Sequence, residues 1–238
     1  MEDSRYPIVE LRQYTLHEGE RDVLIDLFER EFVEPQEATG MTVIGQFRDL
    51  DAPDRFVWLR GFPDMERRAE ALRSFYGGPV WKANRDRANA TMIDSDDVLL
   101  LRTREDFPAA ARPPLGDATP TSIVVATLCH RDRPFDDAFA DFFDRSVRPA
   151  LTETGARPLA CLRTEYAENT FPALPVRTGE NVFVWFSRFA GPDDLADHQE
   201  RLAGSRTWRD RVLPELSETL TGAPWRLRLA PTARSSLR

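Results

Sequence analysis

Cysteine and histidine are scarce in this chain, with two of the first and three of the second in 238 residues. Cys129 and Cys161 are too few for a disulfide framework. The start MEDSRYPIVEL lacks the cationic-then-apolar pattern of a secretory signal, so both read as reduced core thiols and the cytoplasm is the expected compartment. There is no run of about 20 apolar residues, which argues against a membrane span. Neither His-x-x-x-His nor Cys-x-x-Cys spacing occurs, so no metal site is expected. Nucleophile elbows and phosphate loops are missing too. Gly77-Gly78 lacks the strand-then-helix context of a dinucleotide fingerprint, which disfavours nucleotide cofactors. Basic residues are outnumbered, 32 against 40 acidic, and the net charge of −8 with a pI near 5.1 disfavours nucleic acid and anionic membrane as partners.

Apolar residues make up 41% of the chain, with 15 Phe and 5 Trp, enough for the core of one large or two small domains. Arginine dominates the cations, and Ala, Asp and Pro are plentiful, a composition typical of high-GC bacteria.

The halves echo each other. RFVWLRGF at 55–62 matches VFVWFSRF at 182–189, and the pairs Trp58/Trp185, Gly77/Gly204 and Trp81/Trp208 share an offset of 127. Upstream, Gly40 matches Gly155 at an offset of 115, which places an insertion of about 12 residues in ENTFPALPVRTGEN. That segment reads as a tolerated surface loop between two strands. Each half reads as β-α-β-β-α-β. In the first, strands at 8–16, 41–50, 55–62 and 98–101 alternate with an amphipathic helix over 20–35 and helices from Asp64 and Pro79. The expected organisation is a ferredoxin-like unit at 1–103, a Pro/Ala-rich linker at 104–121, a second, degenerate unit at 122–230 and a frayed tail at 231–238.

A ferredoxin-like unit covers one sheet face with helices and leaves the other bare. The expected fold class is therefore α+β, two tandem ferredoxin-like domains packed sheet to sheet as an intramolecular dimeric α+β barrel. Strand alternation puts Val9, Leu11, Val57 and Leu59 on one face, assigned to the helices. Glu10, Arg12, Tyr14, Phe56, Trp58 and Arg60 take the other, assigned to a chamber between the sheets. Gln46 and, from the second half, Phe183, Trp185 and Ser187 complete the expected lining. A buried arginine needs a partner, and Glu10 is the nearest carboxylate on its face. The bland alternative is a structural ion pair at the rim.

The stretch VELRQYTLHEG, residues 9–19, resembles the opening of a NIPSNAP-family domain. FYGGPVWKANRDRANATMIDSDDVLLL, residues 75–101, resembles its end, with Trp81, Arg85 and Asn89 along a helix before an acidic turn and an apolar strand. The resemblance implies the dimeric α+β barrel superfamily, which includes cofactor-independent monooxygenases and haem enzymes. The second half keeps the aromatics but offers Ser122, Val124 and Ala126, or their neighbours, where the first has Glu10, Arg12 and Tyr14, so an asymmetric site is expected.

The functional expectation is a small-molecule-binding protein, a bacterial biosynthetic or catabolic enzyme working without a tightly bound cofactor. Its chemistry would be monooxygenase-like or acid/base, as in a cyclase or isomerase. Arg12 would stabilise developing negative charge, and Tyr14 or His17 would handle a proton. The alternative is a non-catalytic module that binds a ligand or partner, or forms homo-oligomers. His17 and His130 end the first strand of each half, and haem or metal held by such a pair is the cofactor alternative. Trp81 and Trp208 read as packing residues, and His198 as solvated on an exposed helix.

Overall fold

A computed structural model describes residues 4–108 and 110–238. Residues 1–3 of the expected first unit and 109 of the expected linker lie outside the described residues.

The first half contributes strands β1 (Ile8–Leu16), β2 (Thr42–Asp49), β3 (Arg55–Phe62) and β4 (Met92–Thr103). Helix α1 begins at Arg21–Leu27 and continues through a π-helical turn, Phe28–Phe32, into Val33–Glu37. Helix α2 (Met65–Gly77) starts on Asp64, whose carboxylate accepts from the Arg67 amide, and α3 (Pro79–Thr91) begins with proline in its first turn. The second half repeats the order with β5 (Ile123–Arg131), β6 (Pro158–Thr164), β7 (Asn181–Phe189) and β8 (Trp225–Pro231). Helix α4 runs through Asp137–Phe142, a π turn at Phe143–Val147 and Arg148–Glu153; α5 is Pro192–Gly204; α6 passes from a π turn, Trp208–Val212, into Leu213–Thr219.

The strands close into one antiparallel barrel in the order β1-β3-β2-β8-β5-β7-β6-β4. This corrects the expectation of two ferredoxin-like domains stacked sheet to sheet. The halves meet edge to edge: β2 pairs with β8 from Phe47 opposite Pro231, and β4 pairs with β6 from Leu101 opposite Thr164. Edge joining satisfies backbone groups that stacked sheets would leave open, and it abolishes every free edge.

The face assignment inverts with it. Val9, Leu11, Val57 and Leu59 fill the barrel interior, together with Val124, Ala126, Leu128, Val184 and Phe186 from the second half. Trp58, Phe56 and Tyr14 point outward beneath α1, α2 and α3, and Phe183 and Trp185 point outward beneath the second half's helices. Alternation separates two faces but does not say which one meets helices. Here the smaller aliphatic face fits inside the ring, and the aromatic and charged face meets the helices. Among the described residues the interior between the sheets is filled by the barrel-core side chains, and Trp185 and Ser187 line a different cavity from Trp58.

The expected frayed tail is also corrected. Leu237 joins the barrel core and Ser235 is buried, its hydroxyl accepting from the Gln46 backbone N–H at 3.2 Å. Arg234 is buried, donating to the Glu29 and Pro113 carbonyls and to Glu34. The expected linker is anchored as well: Phe107 is in the barrel core, and Arg112 donates to the Val43 carbonyl and to Glu37. Among the described residues no helix is long and apolar enough to cross a membrane.

Candidate functional site

A cavity of about 280 Å³ lies between the outer face of β1 and β3 and the helices of the first half. Tyr14 and Trp58 form its floor, Phe28, Phe32 and Gln36 come from α1, and Tyr76 and Trp81 from α2 and α3. The rings are set edge to face: Trp58 lies 4.8 Å from Phe28, and Tyr76 lies 4.9 Å from Trp81, centroid to centroid.

Behind the floor sits a buried ionic cluster. Glu10 is flanked by Arg12, Arg60 and Arg68, and none of the four is more than 1% exposed. Arg12 Nη1 donates to Glu10 Oε2 at 2.7 Å and Arg60 Nε to the same oxygen at 2.8 Å; Arg68 Nε donates to Oε1 at 2.6 Å. Burial alone would raise the Glu10 carboxyl, but Arg60, Arg12 and Arg68 outweigh it and hold the group well below the usual carboxylate range. One carboxylate faces three guanidiniums, so the cluster carries excess positive charge. Burial pushes Arg68 below its usual value, only partly opposed by Glu10, and its Nη2 finds no acceptor among the described residues.

That excess reaches the cavity through two phenols. Arg12 Nε donates to the Tyr14 hydroxyl at 3.0 Å, and Arg60 Nη1 donates to Tyr76 and to Gln36 Oε1, each at 3.3 Å. Neither phenol has an acceptor for its own proton among the described residues. The Trp58 indole N–H is also buried without a partner. Burial holds the Tyr14 phenol above its usual value despite Arg12, so it stays protonated and donates. Flat aromatic walls, three unengaged donors and positive charge behind them suit a planar ligand bearing an electron-rich oxygen.

The roof comes from the other half. The 12-residue insertion lies in the segment between β6 and β7, which crosses to the first half rather than forming a free surface loop. Phe171 and Leu174 line the cavity, and Phe171 stacks on Tyr76 at 6.0 Å. Arg68 Nη1 donates to Asn169 at 3.0 Å, Thr170 Oγ1 to the Met65 carbonyl at 2.9 Å, and Arg177 Nη1 to Asp97 at 2.9 Å.

The geometry brings Glu10, Arg12, Tyr14, Trp58 and Arg60 together. Phe56 packs beneath them, 6.3 Å from Tyr14. Gln46 is buried opposite Trp58 across β2–β3, but its side-chain amide has no partner among the described residues and it is not in the cavity lining. His17 is exposed past the end of β1, away from the cavity, and His130 is half-buried 3.6 Å from Glu180. Among the described residues no group of three or more His, Cys, Asp and Glu is placed to hold a metal ion. Arg68, Tyr76, Gln36 and the roof escaped sequence reasoning. Arg68 did leave a signal: it stands four and seven residues before Leu72 and Phe75, an arginine on an apolar helical stripe. Trp81 lines the cavity as well as packing, and Asn89 lies exposed at its mouth.

A "putative monooxygenase" from Fusobacterium nucleatum superposes with a TM-score of 0.61 at 12% identity, covering 95% of this chain and 93% of that one. A "putative monooxygenase" from Lactobacillus acidophilus gives 0.56 at 14% identity, covering 97% of each chain. An "anthrone oxidase-like protein" gives 0.56 at 11% identity, covering 96% and 92%. At such identities the likeness shows a shared fold alone. No curated protein matches the sequence. The family model for NIPSNAP matches residues 9–105, which span β1 to β4 and supply every member of the ionic cluster. Over residues 9–105, the sequence of this chain is similar to NIPSNAP domains.

Proposed function

We propose that the cavity under α1–α3 binds a flat molecule of two or three fused rings and stabilises it as an enolate or phenolate. The observation that carries this reading is the Tyr14 phenol, which accepts from Arg12 and has its own proton free at the cavity floor. A ligand oxyanion there would meet Tyr14, Tyr76 and the Trp58 N–H, each backed by or adjacent to a guanidinium. An enolate so held is electron-rich enough to react with dioxygen directly, which is cofactor-independent oxygenation. The names of the whole-chain structural neighbours, monooxygenases and an anthrone oxidase-like protein, favour that chemistry over a cyclase or isomerase. Tyr14 is the donor to the oxyanion, and Arg12 positions and polarises it. Neither His17 nor any second-half residue behind Trp185 enters the scheme. We place the protein in the cytoplasm, a reading supported by the free thiols of Cys129 and Cys161. Small molecules are its partners, rather than nucleic acid or membrane.

Anthrone tests this. In air-saturated buffer anthrone and dioxygen give anthraquinone and water, followed by absorbance. The wild-type chain should accelerate the reaction, and Tyr14→Phe should lower kcat about 100-fold while the melting temperature falls only slightly. A ligand-dependent rise in melting temperature without product would favour the non-catalytic binding module. Neither binding nor turnover of anthrone or other enolisable polycyclic ketones would remove the site reading.

A further inference from the structure

The second half has its own recess at the matching place in the register. Across β1–β3, Arg12 stands opposite Trp58; across β5–β7, Thr127 stands opposite Trp185. Glu10 opposite Arg60 likewise corresponds to Val125 opposite Ser187. At the offset of 127, Arg68 and Tyr76 become Leu195 and Ala203. Every charge of the ionic cluster is thus replaced by an uncharged side chain. The cavity remains, and at about 430 Å³ it is larger than the first.

Its walls are Trp185, Trp208, Phe189, Leu195, Leu202 and Leu216, none more than 8% exposed. Walls so buried make a recess that suits a small apolar molecule. Its polar lining is Thr127, Ser187, His198, Gln199 and Arg226, and two of these are placed to meet a ligand hydroxyl. The Ser187 hydroxyl is buried without a partner among the described residues. His198, expected on an exposed face, is instead buried, and its Nδ1 lies 3.0 Å from the Thr154 carbonyl. A carbonyl only accepts, so Nδ1 carries the proton and Nε2 is left as an acceptor. The one cation among the lining residues, Arg226, is exposed at the mouth.

We propose that this recess is a second ligand site, selective for an uncharged aromatic molecule bearing one hydroxyl group. The ligand hydroxyl donates to His198 Nε2 and accepts from Ser187, and its rings lie against Trp185 and Trp208. The two halves thereby sort ligands by charge, the first taking oxyanions and the second their neutral counterparts. A charged oxygen in the second recess would have only the solvent-exposed Arg226 among the lining residues to neutralise it.

The test uses 1-naphthol, neutral at pH 7, and 1-naphthoate, an anion, in calorimetric titrations of the whole chain. Wild type should bind both at once, neither displacing the other. Ser187→Ala should weaken 1-naphthol about fivefold, the share of one neutral hydrogen bond, and leave 1-naphthoate unchanged. Leu195→Phe, which fills the recess, should abolish 1-naphthol binding, and Tyr14→Phe should leave it intact. The proposal is overturned if 1-naphthol fails to bind, if 1-naphthoate displaces it, or if Ser187→Ala and Leu195→Phe both bind it as wild type does. Should Leu195→Phe fail to fold, the Ser187→Ala and Tyr14→Phe pair decides alone.

Discussion

Glu10 holds the first half's outer face together, and its surroundings make it an unusual carboxylate. Removing its charge would leave three buried guanidiniums facing one another. Glu10→Gln should therefore cost about 3–5 kcal/mol, read by urea denaturation, against about 1 kcal/mol for Tyr14→Phe, which loses one hydrogen bond. A Glu10→Gln cost under 1 kcal/mol would mean the guanidiniums are hydrated, which their burial contradicts. His198 gives a second signature. Burial pushes its imidazole below the ordinary value near 6.5. The unfolded chain then takes up a proton that the folded chain refuses, so this group adds stability above pH 6.5 that is lost as pH falls through its folded value. Stability should drop as pH falls below 6.5, by up to about 1.4 kcal/mol per pH unit from this source. His198→Gln should flatten that part of the profile, with melting temperature against pH as the measurement.

Among the elements, the β6–β7 connection has the clearest consequence. It is an inserted stretch of one half acting as the roof of the other, tied down by Arg68, Met65 and Asp97. Replacing 169–175 with a Gly/Ser segment of equal length removes Phe171 and Leu174 from the cavity. Affinity for 1-naphthoate should fall at least tenfold, or about 1.4 kcal/mol, since each side chain buries area worth about 1.5–3 kcal/mol. Unchanged affinity would show that the roof does not touch the ligand. The carboxy-terminal tail is the other element that packing redefines. It lacks a regular periodicity, so the sequence reads as a fraying end. Its burial comes from single contacts, Leu237 in the barrel and Arg234 with Glu29 and Glu34, that no local pattern encodes.

At the scale of the whole molecule, a closed ring makes the halves interdependent. Separated after residue 121, each half would expose two strand edges, those of β2 and β4 or of β6 and β8. Expressed alone, residues 1–121 should aggregate or pair with a second copy through those edges, and size-exclusion chromatography would show it. A stable monomer would mean the edges are tolerated.

The sequence by itself determined the element order of each half, that Glu10, Arg12, Tyr14, Trp58 and Arg60 share one face, and the NIPSNAP likeness of residues 9–105. These follow from period-two alternation and short-range motifs, which are local. The tertiary structure alone decided which face of each strand meets the helices, that the halves join at their edges, and which residues complete the site. Arg68, Tyr76 and Phe171 lie 58, 62 and 161 residues beyond Tyr14 or its neighbour Glu10. Their meeting depends on ring closure and helix docking, and neither leaves a mark in the spacing of residues along the chain.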